Sequence, residues 1–198
     1  MFSQQLKSRI VYFLTVSGLL YGFVLTNKYK LSLHSTQTVI DNFIPLIPIF
    51  SLPYILYIPL LLGTLLLWIL KLGKLETLFL NRFILAQLIA IGFFVFYPTQ
   101  MIRIDIVGSG ISNSLVKFIY STDQPYNLFP STHVLHTCII MQYWIMVSKR
   151  KTVKFVLFVI TFLICVSTVL IKQHYAIDII GGLAIFGLVN LIIGIDES

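Results

Sequence analysis

The chain has 198 residues, 58% hydrophobic and 11% charged, with 14 Lys+Arg against 7 Asp+Glu and a mean hydropathy of +0.94. A soluble domain needs about a quarter of its residues charged to cover its surface, so this composition excludes one and reads as an integral membrane protein. Cys138 and Cys165, the two cysteines, lie inside apolar segments and read as small core residues, which excludes a disulfide-built secreted module.

Crossing the hydrocarbon takes about 20 helical residues, and six uncharged stretches qualify as candidates. They are Ile10–Thr26, Leu52–Leu70, Phe83–Tyr97, Val134–Val147, Phe155–Ile171 and Ile179–Ile195. Runs such as Leu60-Leu61-Leu62 and Leu65-Leu66-Leu67 are apolar on every face, unlike the period-two alternation of a membrane barrel, so the spans are helices. The first follows Lys7 and Arg9 as a secretory signal would. No small-residue cleavage site follows it, the first alanine in the chain being Ala86, so it is expected to stay as an anchor.

Between the first two spans, Asn27–Ser51 ends in a stretch punctuated by Pro45 and Pro48, with Pro53 and Pro59 beyond, which predicts a bent or re-entrant approach to the second helix. The loop after the third span, Pro98–Pro130, is 33 residues long, and loops of that length in compact domains are functional or disordered. Within it Ile111, Leu115, Phe118 and Ile119 fall at helical spacing, with Ser112, Asn113, Ser114 and Lys117 opposite. That pattern predicts a short amphipathic helix on the outer membrane surface, with Gly108 and Gly110 turning the chain before it. The expected architecture is an all-α membrane protein, a six-transmembrane-helix bundle in one domain spanning residues 1–198, with this surface helix in the third-to-fourth helix loop.

Cations orient the bundle. With the N-terminus inside, the inner side receives Lys7, Arg9, Lys71, Lys74, Arg82, Lys149, Arg150, Lys151 and Lys154. The outer side receives Lys28, Lys30, Arg103, Lys117 and Lys172. Both termini are therefore expected in the cytoplasm of a multi-pass cell-membrane protein. The net charge of +7 is a topology signal and an attraction to anionic lipid. Nucleic acid is not an expected partner, because the basic residues are scattered among helix ends without aromatic interleaving.

The ionisable residues that topology does not explain are Arg103, His133, His136, Lys172, His174 and Asp178. All but His136 fall at predicted outer helix ends, where one outward-facing pocket can collect them. His174 and Asp178 are four apart and share a helical face, so the carboxylate can hold one imidazole nitrogen while the other points away, the way an imidazole becomes a base or a nucleophile. The same spacing also fits a helix-end histidine capped by an acid. In Pro130-Ser131-Thr132-His133, Pro130 suits a first helical turn, and Ser131 and Thr132 add hydroxyls beside free N–H groups, an anion site with His133 as neighbouring proton donor. It fits equally a Ser/Thr-capped helix with an interfacial histidine. Arg103 closes the third span as a cation for phosphate oxygens or as a snorkelling helix-end arginine. Together these runs make the inventory of phosphoryl transfer through a phosphohistidine.

Pro130-Ser131-Thr132-His133, followed by His174 and Asp178, resembles the second and third signatures of the type 2 phosphatidic acid phosphatase superfamily, Pro-Ser-x-His and His-x-x-x-Asp. The resemblance runs in motif order from Pro98 to Asp178. It implies His174 as the nucleophile, Asp178 as its orienting acid and His133 as the acid that protonates the leaving oxygen. Arg103, Lys172, Ser131 and Thr132 would bind the phosphate, with no metal or cofactor. Asn127, Gln173 and Tyr175 are expected to line the pocket or to be interfacial polar residues.

Departures from the phosphatase branch bear on the substrate. Phe96 and Ile104 stand where that branch has a Lys seven residues before the first-motif Arg and a Pro after it, and Ser167-Thr168 where it has Ser-Arg. Phe-Pro-Ser-x-His-Val with Lys-Gln-His-Tyr-x-x-Asp is closer to the inositol phosphorylceramide synthase branch. The leading expectation is hydrolysis of a membrane lipid phosphate or diphosphate, isoprenoid or phosphatidate-type, at the outer face. The alternative is head-group transfer to a lipid alcohol. A haem or ion-conducting protein using His133, His136 and His174 is a distant third, and His136 itself reads as a core or supporting histidine.

Overall fold

The computed structural model describes residues 3–27 and 33–194. Lys28, Lys30 and Ile195, which the topology reading uses, lie outside the described residues. Within them the chain forms seven α-helices and no strand: α1 Gln4–Thr26, α2 Ser51–Lys71, α3 Lys74–Phe96, α4 Ile111–Thr122, α5 Thr132–Val147, α6 Lys151–Leu170 and α7 Ala176–Ile192. Two short 3-10 turns, Val39–Asn42 and Pro48–Phe50, precede α2.

Among the described residues four helices, Gln4–Thr26, Pro48–Lys71, Lys74–Phe96 and Lys151–Leu170, are long and apolar enough to cross a membrane. They point to a membrane protein. The other two expected spans are shorter, α5 with 16 residues and α7 with 17. At 1.5 Å per residue each covers roughly 25 Å, less than the hydrocarbon thickness. Burial accounts for α5: it packs on α2, α3, α6 and α7, and Val134, Leu135, Ile139, Ile140 and Tyr143 are all within 1% of complete burial.

Local chemistry sets the helix ends. Ser3 Oγ accepts the Leu6 amide at 3.2 Å and opens α1. Leu72 closes α2 in the left-handed region at φ 38°, and Glu76 reaches back to the Gly73 amide at 3.1 Å to open α3, so two residues join a pair of long helices. Ser131 Oγ accepts the Val134 amide at the start of α5, and Asp178 does the same for the Tyr175 amide at the start of α7.

The predicted loop helix exists as α4, but its packing differs from the expectation. Val116 and Ile119 are buried in a cluster with Tyr54 and Ile171, whereas Ile111 and Phe118 are 83% and 59% exposed. One narrow stripe therefore holds α4 to α2, to the turn before it and to Ile171, whose carbonyl accepts the Tyr120 hydroxyl at 2.8 Å. The segment before α2 wraps the ends of α6 and α7: the Ile47 amide bonds the Leu170 carbonyl at 2.8 Å and Asp41 Oδ1 accepts the Ala176 amide at 2.8 Å.

The glycine pair at the start of α7 serves packing within the chain. A Cβ at Gly182 would stand 2.7 Å from the Ser131 carbonyl oxygen, and one at Gly181 would stand 2.5 Å from the Phe129 ring. Only glycine lets α7 approach the entry of α5 this closely, and that approach brings the second and third motifs together.

Candidate active site

His174 lies in the short connection between α6 and α7. Lys172 turns the chain with φ 55°, and the Gln173 and His174 amides both bond the Thr168 carbonyl, at 2.9 and 3.0 Å. The imidazole is 6% exposed. Its Nδ1 stands 3.4 Å from Asp178 Oδ2. Asp178 is fully buried and held on both oxygens, Oδ2 by the Tyr175 amide at 2.9 Å and Oδ1 by the Thr36 hydroxyl at 2.9 Å. A carboxylate so fixed can orient only one tautomer of its histidine, leaving Nε2 as the free end.

That free end faces Nδ1 of His133 at 3.4 Å. His133 sits in the first turn of α5, its ring packed against Tyr54 and Tyr57 with centroids 4.7 and 4.3 Å away. Its other nitrogen, Nε2, is 3.8 Å from Asp123 Oδ2, and the Tyr54 hydroxyl donates to the same Asp123 oxygen at 2.5 Å. The Ser131 amide bonds the Asp178 carbonyl at 3.0 Å, which ties the start of α5 to the first turn of α7. Among the described residues, the Thr132 and His133 amides have no partner within the chain, as the first turn of a helix leaves them.

Arg103 is half-buried and takes a supporting position. It donates to the Tyr120 carbonyl at 2.6 Å, to the Asp123 carbonyl and to Gln173 Oε1 at 2.5 Å, with its guanidinium 4.4 Å over the Tyr120 ring. Burial lowers its pKa while the nearby Asp123 carboxylate opposes that shift; an arginine stays charged at neutral pH in either case. Burial pushes the Tyr120 hydroxyl up to about 12, with Arg103 pulling the other way. Lys172 does not join the site. Its ammonium donates to the Asp41 and Ile44 carbonyls, at 3.1 and 2.5 Å, and braces the segment before α2.

Two spaces reach the histidines. An apolar cavity of about 620 Å³ runs between α1, α2, α4 and α5, walled by residues such as Leu20, Phe23, Ile58 and Leu62, and ends on Asp123, Thr132 and His133. A crevice of about 10 Å³, lined by Asp123, Asn127, Thr132, His133, Gln173 and His174 among others, lies beside it. That is room for one water. Of the expected pocket residues, Gln173 and Asn127 line this crevice. Asn127 also holds the end of α1 through Thr26 and Asn27, at 2.9 and 2.7 Å, while Tyr175 packs with Met101 and Leu128 instead.

His136 is one turn further along α5, its Nδ1 2.9 Å from the Tyr57 hydroxyl and its ring against Phe83, a supporting position behind His133. Among the described residues no three His, Cys, Asp or Glu side chains converge as metal ligands do. Spacing alone missed Asp123, Thr36, Asp41, Tyr54 and Tyr57. One available signal was scarcity: with 7 acidic residues in the chain, each one beside a span end is informative.

Two histidines, one backed by a fixed carboxylate, meet beside an open helix N-terminus at one end of an apolar bundle, an arrangement suited to a phosphate ester. The sequence profile of the PAP2 superfamily matches residues 32–192, and the chain belongs to this family of type 2 phosphatidic acid phosphatases. Its members are phosphoesterases, which points to a phosphatase-type activity on phosphate esters. Comparison with curated proteins and with solved structures returned no match.

Proposed function

We propose that the protein is a membrane lipid phosphatase in which His174 is the nucleophile. The observation that carries this reading is the free Nε2 of His174, oriented through Asp178 and placed where the 620 Å³ apolar cavity ends on His133. The lipid tail occupies the cavity and the phosphate enters at the crevice, against the free amides of Thr132 and His133. Arg103 supplies positive charge from behind through Gln173 and the Asp123 carbonyl.

In the first step the Nε2 lone pair attacks phosphorus, the ester P–O bond breaks, and His133 gives its proton to the leaving oxygen. In the second a water attacks the phosphohistidine, His133 takes its proton, and phosphate leaves. The two imidazoles touch in this structure, so phosphate has to part them on entry. The bundle crosses the membrane six times, through α1, α2, α3, α5, α6 and α7, with both termini in the cytoplasm and the site at the outer face beside α4. A cysteine at Lys117 is then labelled from outside intact cells.

One observation also favours a lipid alcohol as acceptor: the cavity reaches His133, the group that takes the acceptor's proton, so a membrane alcohol has an apolar route to the neighbour of His174. Membership of a phosphoesterase family supports phosphate chemistry over haem binding or ion conduction. The test is phosphate release by purified protein from a panel of lipid phosphates and diphosphates, with chelator present, beside His174→Ala. Release that vanishes in the variant is expected. Turnover only on adding a lipid alcohol would make the protein a transferase, and silence in both assays would overturn the phosphohistidine.

A further inference from the structure

Asp123 belongs to none of the motifs, yet it lines both spaces that reach the histidines. It caps the C-terminus of α4, its amide bonding the Ile119 carbonyl at 2.8 Å. Its carbonyl is held by Arg103 and its carboxylate by the Tyr54 hydroxyl, so the side chain is aimed from two sides. Asp123 Oδ2 lies 3.8 Å from His133 Nε2, on the edge of the ring opposite the one that faces His174.

We propose that Asp123 is the positioning residue of His133, as Asp178 is of His174, so that the site is two carboxylate–histidine pairs set nitrogen to nitrogen. This rests on the lipid phosphatase reading. A proton donor has to be charged when substrate arrives. His133 is 11% exposed and lies against two aromatic rings, which disfavours an imidazolium unless an anion stands beside it. Asp123 is that anion. The groups facing His133 are Tyr54 and Tyr57 from α2, Asp123 after α4, His174 before α7 and His136 one turn along α5. Asp123 is the sole acid among them.

Held at Nε2–H by Asp123, His133 presents Nδ1–H to the reacting centre. As the His174 Nε2–P bond forms and the P–O bond breaks, the leaving oxygen takes the Nδ1 proton, and His133 is left neutral with Nε2–H still on Asp123. In the second step Nδ1 takes a proton from the attacking water as the N–P bond breaks. The imidazolium is restored, and no other reactant is required.

The role predicts a dependence on the leaving group. A lipid monophosphate expels an alkoxide that must be protonated; p-nitrophenyl phosphate expels an anion that need not be. With the full-length protein in detergent, Asp123→Asn is expected to lower kcat/KM, which reports the first step and not the shared hydrolysis of the phosphohistidine, by about 10²-fold on the lipid ester, within the range of a general acid, and by less than about tenfold on the aryl ester. It also moves the alkaline limb of the lipid-ester pH profile to lower pH, because removing the carboxylate makes the imidazolium easier to deprotonate. Asp123→Glu restores part of the lipid-ester rate, and Tyr54→Phe, which frees the carboxylate without removing it, gives a smaller loss of the same kind.

Equal losses on both esters with an unmoved pH limb, in Asp123→Asn or, should that variant not fold, in Tyr54→Phe, would overturn the proposal. A wild type that His174→Ala does not silence would instead overturn the phosphohistidine reading, and this pairing with it.

Discussion

Both ends of the bundle bury charged and polar side chains, but in different states of completion. At the end where α2 meets α3, Glu76 accepts the Tyr143 hydroxyl at 2.8 Å and the Gly73 amide at 3.1 Å. Arg82, 1% exposed, caps α7 through the Ile193 carbonyl, at 3.0 and 2.8 Å, and bonds Gln142 at 2.8 Å. Trp68, Phe79 and Tyr143 pack around them edge to face. At the other end His174, His133, Asp178 and Asp123 meet at 3.4 to 3.8 Å, beside a crevice and two unpartnered amides. Closed hydrogen bonds at normal length fix one arrangement. The looser contacts leave lone pairs and donors available, so one end holds the bundle together and the other keeps the groups that the proposed reaction needs.

This contrast can be broken by substitution, and the largest effect is expected at the open end. His174→Ala should reduce phosphate release by about 10³-fold or more while thermal unfolding in detergent barely moves. A large fall in unfolding temperature would show that the histidine is structural.

Gly182→Val should damage both properties. Its Cβ meets the Ser131 carbonyl oxygen at 2.7 Å, and since that is backbone, the helices must part at a cost of about 1–3 kcal/mol. Activity per folded molecule should fall with stability, because the Ser131 to Asp178 bond is stretched; intact activity would mean that the motifs need no close approach.

Tyr143→Phe tests the closed end. Leaving Glu76 without one of its two donors should cost about 1–3 kcal/mol of stability and leave kcat unchanged, so a kcat effect would erase the division between the ends. The smallest expected change is at Thr36→Val, which removes one of the donors on Asp178. It should slow turnover about tenfold, the equivalent of about 1.4 kcal/mol for one bond to a charged group, without changing KM for the lipid.

Much of this fold is legible along the chain because hydrocarbon imposes a one-dimensional rule. Apolar runs have to be helices, and five of the six expected spans coincide with helices within a few residues at most ends; α3 instead begins at Lys74, nine residues before the expected Phe83. Charge on Lys74, Glu76 and Arg82 hid that first part of α3, and the reason is tertiary: Glu76 and Arg82 are buried with partners from elsewhere in the chain. Arg82, read along the chain as a topology cation, is in fact the cap of α7.

The site divides in the same way. His174 with Asp178, and Ser131 to His133, are visible because each group is only a few residues long. The shared helical face expected of His174 and Asp178 is not what joins them, since His174 lies before α7 and meets Asp178 where that carboxylate caps the helix through the Tyr175 amide. Lys172 shows the limit of that reasoning: two positions from His174 in sequence, it turns through a left-handed residue onto the Asp41 and Ile44 carbonyls. Thr36 and Asp123 show the converse. They reach the site from 142 and 10 positions away from their histidine partners' motifs, Thr36 to Asp178 and Asp123 to His133, and no periodicity relates them to those motifs. Composition and local spacing were enough for an apolar helical bundle with a histidine pair at one end, since both follow from short-range rules. The carboxylate behind His133, the retreat of Lys172 and the cavity that ends on the histidines depend on how distant helices pack, and packing is set by long-range contacts that a local pattern does not carry.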